Sequence, residues 1–315
     1  MKKAQKILIA GFGDIGERVA RKLHDARHYR LTALVRKNSD TARHPKLAAS
    51  LGVQLMRGDL SEPRSLQKLA HLADTILHFA PPPGTGQSDT HTTNLLAALN
   101  GVHRSSLMQP KMLPRRIVYI STTGVYGNCD GEWINETRQL KPESQRAKRR
   151  VDAERQLRKW GRLHGVSITI LRAPGIYALD RLPLDRLKRQ TPVLVATVDV
   201  FTNHIHADDL AAAVVNAIRQ LRPKRCRVFN VVDDSQLRMG DYLDAVADAF
   251  GVARPPRISR AEAEKRIAPL LLSFMRESRR IDNTRVKREL KLVLKYPTLA
   301  TVLAGVRPTN PAPPI

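Results

Sequence analysis

An apolar run, Ile7-Leu8-Ile9-Ala10, leads directly into Gly11-Phe12-Gly13-Asp14-Ile15-Gly16, and a helical pattern follows from Asp14 to Ala26. This order of strand, glycine turn and helix constrains the fold more than any other stretch of the chain. In the G-x-G-x-x-G pattern the first glycine permits a tight turn. The second lets the backbone approach a diphosphate, and the third lets the helix pack on the strand. Unpaired N–H groups and a partial positive charge at the helix start then face the phosphates. Gly11, Phe12, Gly13, Asp14, Ile15 and Gly16 are therefore the first candidate cofactor-binding residues. The competing explanation is an ordinary glycine-rich turn.

Further apolar runs alternate with helical patterns. Strands are expected at Leu31–Val35, Val53–Met56, Thr75–Phe79, Arg116–Ser121 and Ser167–Leu171. Helices are expected at 44–51, 62–70, 90–99 and 143–163. Such alternation predicts an α/β fold, a Rossmann-type doubly wound parallel sheet. Beyond residue 171 the alternation weakens. Helices are expected at 180–189, 208–221 and 240–250, with a strand near 227–232. The expected division is a dinucleotide-binding domain over 1–232, with parts of 173–206 joining a smaller substrate lobe. An α-rich C-terminal lobe or cap over 233–305 and a disordered tail over 306–315 follow it. The segment 101–114 reads as an irregular insertion.

Composition narrows the function classes. No apolar run reaches the ~18 residues of a membrane span, and the basic start lacks the apolar core of a signal peptide. Cys129 and Cys226 are the only cysteines among 315 residues, too few for a disulfide framework or a metal site. A reducing cytoplasm is the expected compartment. The net charge is +25, from 54 basic and 29 acidic residues. Such a charge attracts phosphate, from nucleic acid or from an anionic substrate. It is dispersed: residues 141–164 carry nine Lys or Arg against three acids, and 254–295 thirteen against five. Aromatic residues are only 4%, a poor basis for stacking single strands. Nucleic acid is therefore not the expected main partner.

The end of the second strand bears on which dinucleotide binds. An NAD site needs a carboxylate there for the ribose hydroxyls. This chain has Arg36-Lys37-Asn38-Ser39 instead. A guanidinium at Arg36 can make paired hydrogen bonds to a 2′-phosphate, with Lys37 and Ser39 assisting. The expected cofactor is NADP(H) rather than NAD(H). Asp59 and Leu60 after the third strand suit the adenine, although Asp59 could instead cap a helix. Phe79, Ala80 and Pro81 suit the ribose and pyrophosphate, or simply end the fourth strand.

At this point the sequence resembles the extended and atypical short-chain dehydrogenase/reductases, the nucleoside-diphosphate-sugar epimerase and dehydratase-like proteins. The resemblance rests on the glycine loop, Gly58-Asp59-Leu60, Ser121-Thr122-Thr123-Gly124-Val125-Tyr126-Gly127, Leu171-Arg172-Ala173-Pro174-Gly175-Ile176-Tyr177 and His204-Ile205-His206-Ala207-Asp208-Asp209-Leu210. It implies Ser121, Pro174 and Ile176 beside the cofactor. It also implies a hydroxyl, Thr122 or Thr123, on the reacting oxygen, and a Tyr-x-x-x-Lys pair on the next helix. Tyr126 belongs to the turn and is not that phenol.

The pair is missing. Counting back from Glu154, which the family often carries after its Lys, places Arg146 at the Tyr position and Arg150 at the Lys position. A second register pairs Ser144 with Lys148. Arginine is a poor acid, with a pKa above 12, and a good anion clamp. The candidate catalytic residues are thus Thr122, Thr123, Arg146 and Arg150. His204 and His206 lack a third ligand, so no metal is expected. Arg276, Arg279 and Arg280 read as an exposed helix face, or as a phosphate contact. Two functions remain open: an enzyme of the epimerase, dehydratase or reductase type acting on a sugar nucleotide or other small anionic substrate, and a non-catalytic NADP(H)-binding sensor, regulator or scaffold. A monomer or a homodimer fits either.

Overall fold

The computed structural model describes residues 4–24, 28–36, 43–101, 113–220 and 226–306. Lys37, Ser39, most of the expected insertion and all but the first residue of the expected tail lie outside the described residues.

The first half of the chain alternates as its pattern requires. The elements are β1 (Gln5–Ala10), α1 (Asp14–His24), β2 (Tyr29–Val35), α2 (Arg43–Ser50), β3 (Val53–Arg57), β4 (Thr75–His78), α3 (Thr90–Leu99) and β5 (Arg116–Thr122). Next come β6 (Trp133–Ile134), α4 (Gln145–His164), β7 (Ser167–Ala173), β8 (Gly175–Tyr177), α5 (Leu184–Lys188), β9 (Val193–Leu194), β10 (His204–His206), α6 (Ala207–Arg219) and β11 (Cys226–Asn230). The chain continues through α7 (Met239–Phe250), β12 (Arg257–Ile258), α8 (Arg260–Arg266), α9 (Pro269–Phe274), β13 (Arg280–Ile281), α10 (Thr284–Glu289) and α11 (Leu299–Leu303).

Seven strands form one parallel sheet in the order β11-β7-β5-β4-β1-β2-β3. Helices cover both faces, so both faces of each central strand are apolar. In β1, Ile7 and Ile9 point to the core shared with α1 and α6, while Leu8 and Ala10 point to the core shared with α3 and α4. The same period of two sends Val118 and Ile120 of β5 one way and Ile117 and Tyr119 the other. A third apolar cluster, away from the sheet, joins Tyr177, Leu187 and Val193 to Leu243, Val246 and Ile258.

The chain winds from β1 outward to β3, then returns to place β4 on the other side of β1. That reversal opens a crevice at the carboxyl ends of β1 and β4, the place where open α/β sheets bind ligands. Two details depart from the sequence pattern. Residues 63–69 form a 3₁₀ turn rather than an α-helix, with Pro63 in its first turn. The Ser65 hydroxyl there donates to the Glu62 and Asp59 carbonyls, competing with the backbone ladder. The single helix expected over 180–189 is instead a 3₁₀ turn at Leu179–Arg181 and the short α5, divided at Pro183. Leu182, before that proline, is extended, as the proline ring demands.

Gly11 sets the width of the crevice. Its φ is +107°, and a Cβ there would lie 2.5 Å from the Ala80 backbone nitrogen. Gly11→Ala should therefore lower stability by about 1–3 kcal/mol through strain and clash. Urea unfolding of the cofactor-free protein measures it, and an unchanged midpoint would contradict the close approach.

Candidate functional site

The glycine loop opens on a cleft of about 380 Å³ lined by Gly13, Arg36, Asp59, Leu60, Pro81 and His91, among others. The wall is built by main-chain bonds: Phe79 and Ala80 both donate their N–H to the Ala10 carbonyl. A Cβ at Gly16 would stand 2.8 Å from the Gly11 carbonyl oxygen, so this glycine serves packing. At Gly13 a Cβ would meet nothing within 4 Å, so the backbone there faces open space. The loop thus offers backbone to the cleft at Gly13 and fits a diphosphate. Phe12 turns inward and is buried in the core, and Ile15 packs against it.

Charge is arranged to match. Asp14, in the first turn of α1, would repel a phosphate if left alone. Its two oxygens accept from Arg18 at 2.9 Å and Arg181 at 2.6 Å. Asp59 accepts from the Ser61 amide and hydroxyl at 2.8 and 2.7 Å, closing a small turn. Burial opposes its charge, but Ser61, with Arg36 and His91 nearby, outweighs that and holds its pKa below the usual range. Arg36 stands at the end of β2 and lines the same cleft.

A second cleft of about 420 Å³ lies at the carboxyl ends of β5 and β7. Ser121, Thr122 and Thr123 reach it from the end of β5, Arg146 and Arg150 from α4, and Pro174 and Ile176 from the far side. Each is held differently. The Thr122 hydroxyl accepts from the Gly124 amide. Arg150 donates to the Ile120 carbonyl at 2.7 Å and the Tyr119 hydroxyl at 3.0 Å. Arg146 lies 4.7 Å from the centre of the Phe274 ring. Ser144 caps α4 by accepting from Ala147, and Lys148 is exposed, so the structure does not bring that alternative pair into the cleft.

Residues 7–231 match the model of the NAD-dependent epimerase/dehydratase family. The chain belongs to this family. It is 25% identical over 252 residues to the UDP-glucose 4-epimerase of Azospirillum brasilense, covering 69% of this chain and 68% of that one. Among solved structures, a conserved protein of unknown function from Silicibacter pomeroyi superposes with a TM-score of 0.74 at 25% identity, over 96% of this chain and 98% of that one. The fold is shared with a UDP-glucuronic acid 4-epimerase from Bacillus cereus solved with NAD, at a TM-score of 0.72 and 18% identity, over 95% and 96% of the two chains.

Several residues around the family cleft were not singled out from sequence. Arg172 of β7 is fully buried and forms a two-pronged ion pair with Glu154 of α4, at 3.0 and 2.7 Å. Ser121 donates to the same carboxylate at 2.7 Å. Arg172 also donates to the Tyr126 hydroxyl, which donates in turn to Asn230. Ser121 and Tyr126 are thereby committed to this network. His78 is buried beneath, with its pKa pushed down to about 3 by burial. From the other wall comes Arg186, beside Arg279, for which the sequence predicts an exposed face or a phosphate contact. Arg172 already stood in a motif of the resemblance, yet nothing local marked it as buried.

The expectation of one exposed arginine face at Arg276, Arg279 and Arg280 needs correction. α9 ends at Phe274, so the three do not share a helix. Arg276 is paired with Glu264 at the surface. Arg279 is buried and donates to the Gly127 carbonyl and Glu277. Arg280 lies in β13 with its guanidinium over the Trp133 and Phe201 rings. The irregular segment lets each side chain leave the backbone in its own direction. His204 and His206 pack in an aromatic group, His204 stacked on Tyr242 at 4.0 Å and His206 tilted against Tyr296 at 3.8 Å between ring centres. Among the described residues no three metal-ligating side chains cluster.

Beside them, buried Asp233 accepts from the Tyr177 hydroxyl at 3.0 Å and the Ser235 amide at 2.9 Å. Burial pushes its pKa up from 3.8 to about 7, outweighing those bonds. The folded state therefore holds a proton that the unfolded chain releases between these values. Stability from this group should be full below about pH 4 and fade as the pH rises through 7. Asp233→Asn should flatten that part of a denaturation-against-pH profile, and an unchanged slope would exclude the assignment.

Proposed function

We propose that this family member binds NADP(H) in the first cleft and acts on a small anionic substrate in the second, without a tyrosine acid. The carrying observation is the shared cleft, where the open backbone at Gly13 and the guanidinium side chain of Arg36 meet. Diphosphate and 2′-phosphate then each find a donor set suited to them. The NAD complex of the Bacillus cereus relative supports a nicotinamide dinucleotide in general. The preference for NADP(H) rests on Arg36. Phe79, Ala80, Pro81, Asp59 and Leu60 would frame the adenosine, and Ser121, Pro174 and Ile176 the nicotinamide end.

When bound, the dinucleotide supplies or accepts a hydride. The chain's own residues would do the rest by electrostatics. Thr122 or Thr123 would donate to the reacting oxygen, and Arg146 and Arg150 would stabilise negative charge developing on it. Neither arginine is suited to give up a proton near neutral pH. The proton therefore has to reach the oxygen from solvent or from the substrate itself. A non-catalytic NADP(H) sensor is the second reading, favoured by one feature: among the described residues, those lining the second cleft include no tyrosine. Cys129 and Cys226 are free, which supports a reducing, cytoplasmic setting.

A fluorescence titration tests the cofactor assignment. NADPH should bind at least about tenfold more tightly than NADH, the effect of one charge-assisted contact. Arg36→Asp should abolish that preference, whereas equal affinities in the native protein would remove it. Hydride exchange from bound NADPH separates the two readings. Turnover that falls about 10²-fold or more in Thr122→Ala or Thr123→Ala marks the enzyme. Tight NADPH binding with no exchange on UDP-glucose or UDP-glucuronic acid marks the sensor.

A further inference from the structure

The second cleft carries a charge imbalance that the chain does not resolve. Its lining includes Arg146, Arg150, Arg186 and Arg279, against one carboxylate, Glu277. That carboxylate is taken by Arg279 at 2.8 Å. Among the described residues the other three form no ion pair. Arg150 donates only to neutral oxygens, those of Ile120 and Tyr119. Arg146 rests on the Phe274 ring. Arg186 comes from α5 on the opposite wall, its terminal nitrogens 3.8 and 3.9 Å from the Met239 sulfur. The Arg186 Nε is buried without a partner.

Like charges gathered in one cleft repel one another when left uncompensated, and Arg186, half-buried with its Nε unpartnered, adds a desolvation cost that a bound anion would offset. Burial lowers the Arg146 pKa, with Glu277 opposing and Arg150 and Arg149 adding to the effect. Burial also lowers that of Arg186, against Asp199 and Tyr242. Both guanidiniums are therefore better accommodated once an anion is present. Planar guanidinium forks match the two oxygens of a carboxylate or the face of a phosphate. A cleft of about 420 Å³ is at the small end of ligand pockets.

We infer that this cleft binds a sugar-sized ligand through an oxyanion group, carboxylate or phosphate, clamped between Arg146 and Arg150 of α4 and Arg186 of α5. The inference rests on reading the cleft as the substrate site. It goes further by placing the negative charge beside Thr122, at the positions where the resemblance expects a tyrosine and a lysine. The charged group would then lie next to the reacting centre rather than on a distant nucleotide.

Calorimetric titration of the full chain with D-glucuronate, D-glucose 1-phosphate and D-glucose tests this, with and without saturating NADPH. At least one anion should bind about tenfold or more tightly than glucose, as charged hydrogen bonds would give. Which anion gains identifies the oxyanion as carboxylate or phosphate. Arg146→Gln and Arg186→Gln should each remove most of the anion's gain over glucose. Arg146 is exposed, so its variant should fold even if the Arg186 variant does not. Anions no better than glucose, or a gain that survives Arg146→Gln, would overturn the clamp. Failure of NADPH to bind would instead count against the cofactor assignment, because the anion comparison is also made on cofactor-free protein.

Discussion

The buried pair of Arg172 with Glu154 holds the wall of the second cleft in place. It crosses from β7 to α4, and Ser121 joins it from the end of β5. Either charge alone would cost several kcal/mol to bury, and the two-pronged geometry with neutral donors and acceptors offsets that cost. The consequence is rotational. With Glu154 pointing inward, the residues one and two turns earlier on the same stripe are Arg150 and Arg146. Arg150 accordingly reaches the Ile120 carbonyl, and Arg146 reaches the rim of the cleft. A helix turned by one residue would present Ala147 and Val151 there instead.

At the other end, electrostatics are tuned by neutralisation rather than by adding cations. Asp14 sits where a diphosphate would approach, yet it is held by Arg18 and Arg181. Arg18 also pairs with Asp208 of α6, at 2.7 Å, tying the glycine-loop helix to its neighbour across the same face of the sheet. Asp209, the next residue, is buried and accepts the amides of Lys295 and Tyr296. A short acidic pair thus links the first helix, the sixth and the C-terminal segment. The positive end of α1 is left to act through its backbone.

The large positive charge of the chain divides into two kinds. Some of it is surface charge, as in the long solvent face of α4. Some is structural: Arg172 completes an ion pair, Arg116 donates to carbonyls at the end of α6, and Arg279 braces the Gly127 carbonyl. In the second cleft, Arg146, Arg150 and Arg186 form no ion pair among the described residues.

Much of the fold was legible because its signals are local. A backbone passing so close to its neighbour that a Cβ would stand 2.5 Å from it leaves a glycine in the sequence, and a buried parallel strand leaves an apolar run. The spacing of four between Arg146, Arg150 and Glu154 is likewise a property of one helix. The 3₁₀ turn at Pro63–Leu69 and the break at Pro183 were less legible, since each depends on a side chain or ring overriding a helical pattern. By itself, then, the sequence determined the order of strands and helices, the glycine turn and which face of α4 carries charge, because each is written within a few neighbouring residues. Tertiary structure alone decided that Arg172 is buried against Glu154, that Asp233 meets Tyr177, and that Arg186 and Arg279 face Arg146. These side chains lie 18 or more residues apart along the chain, and only tertiary packing brings them together.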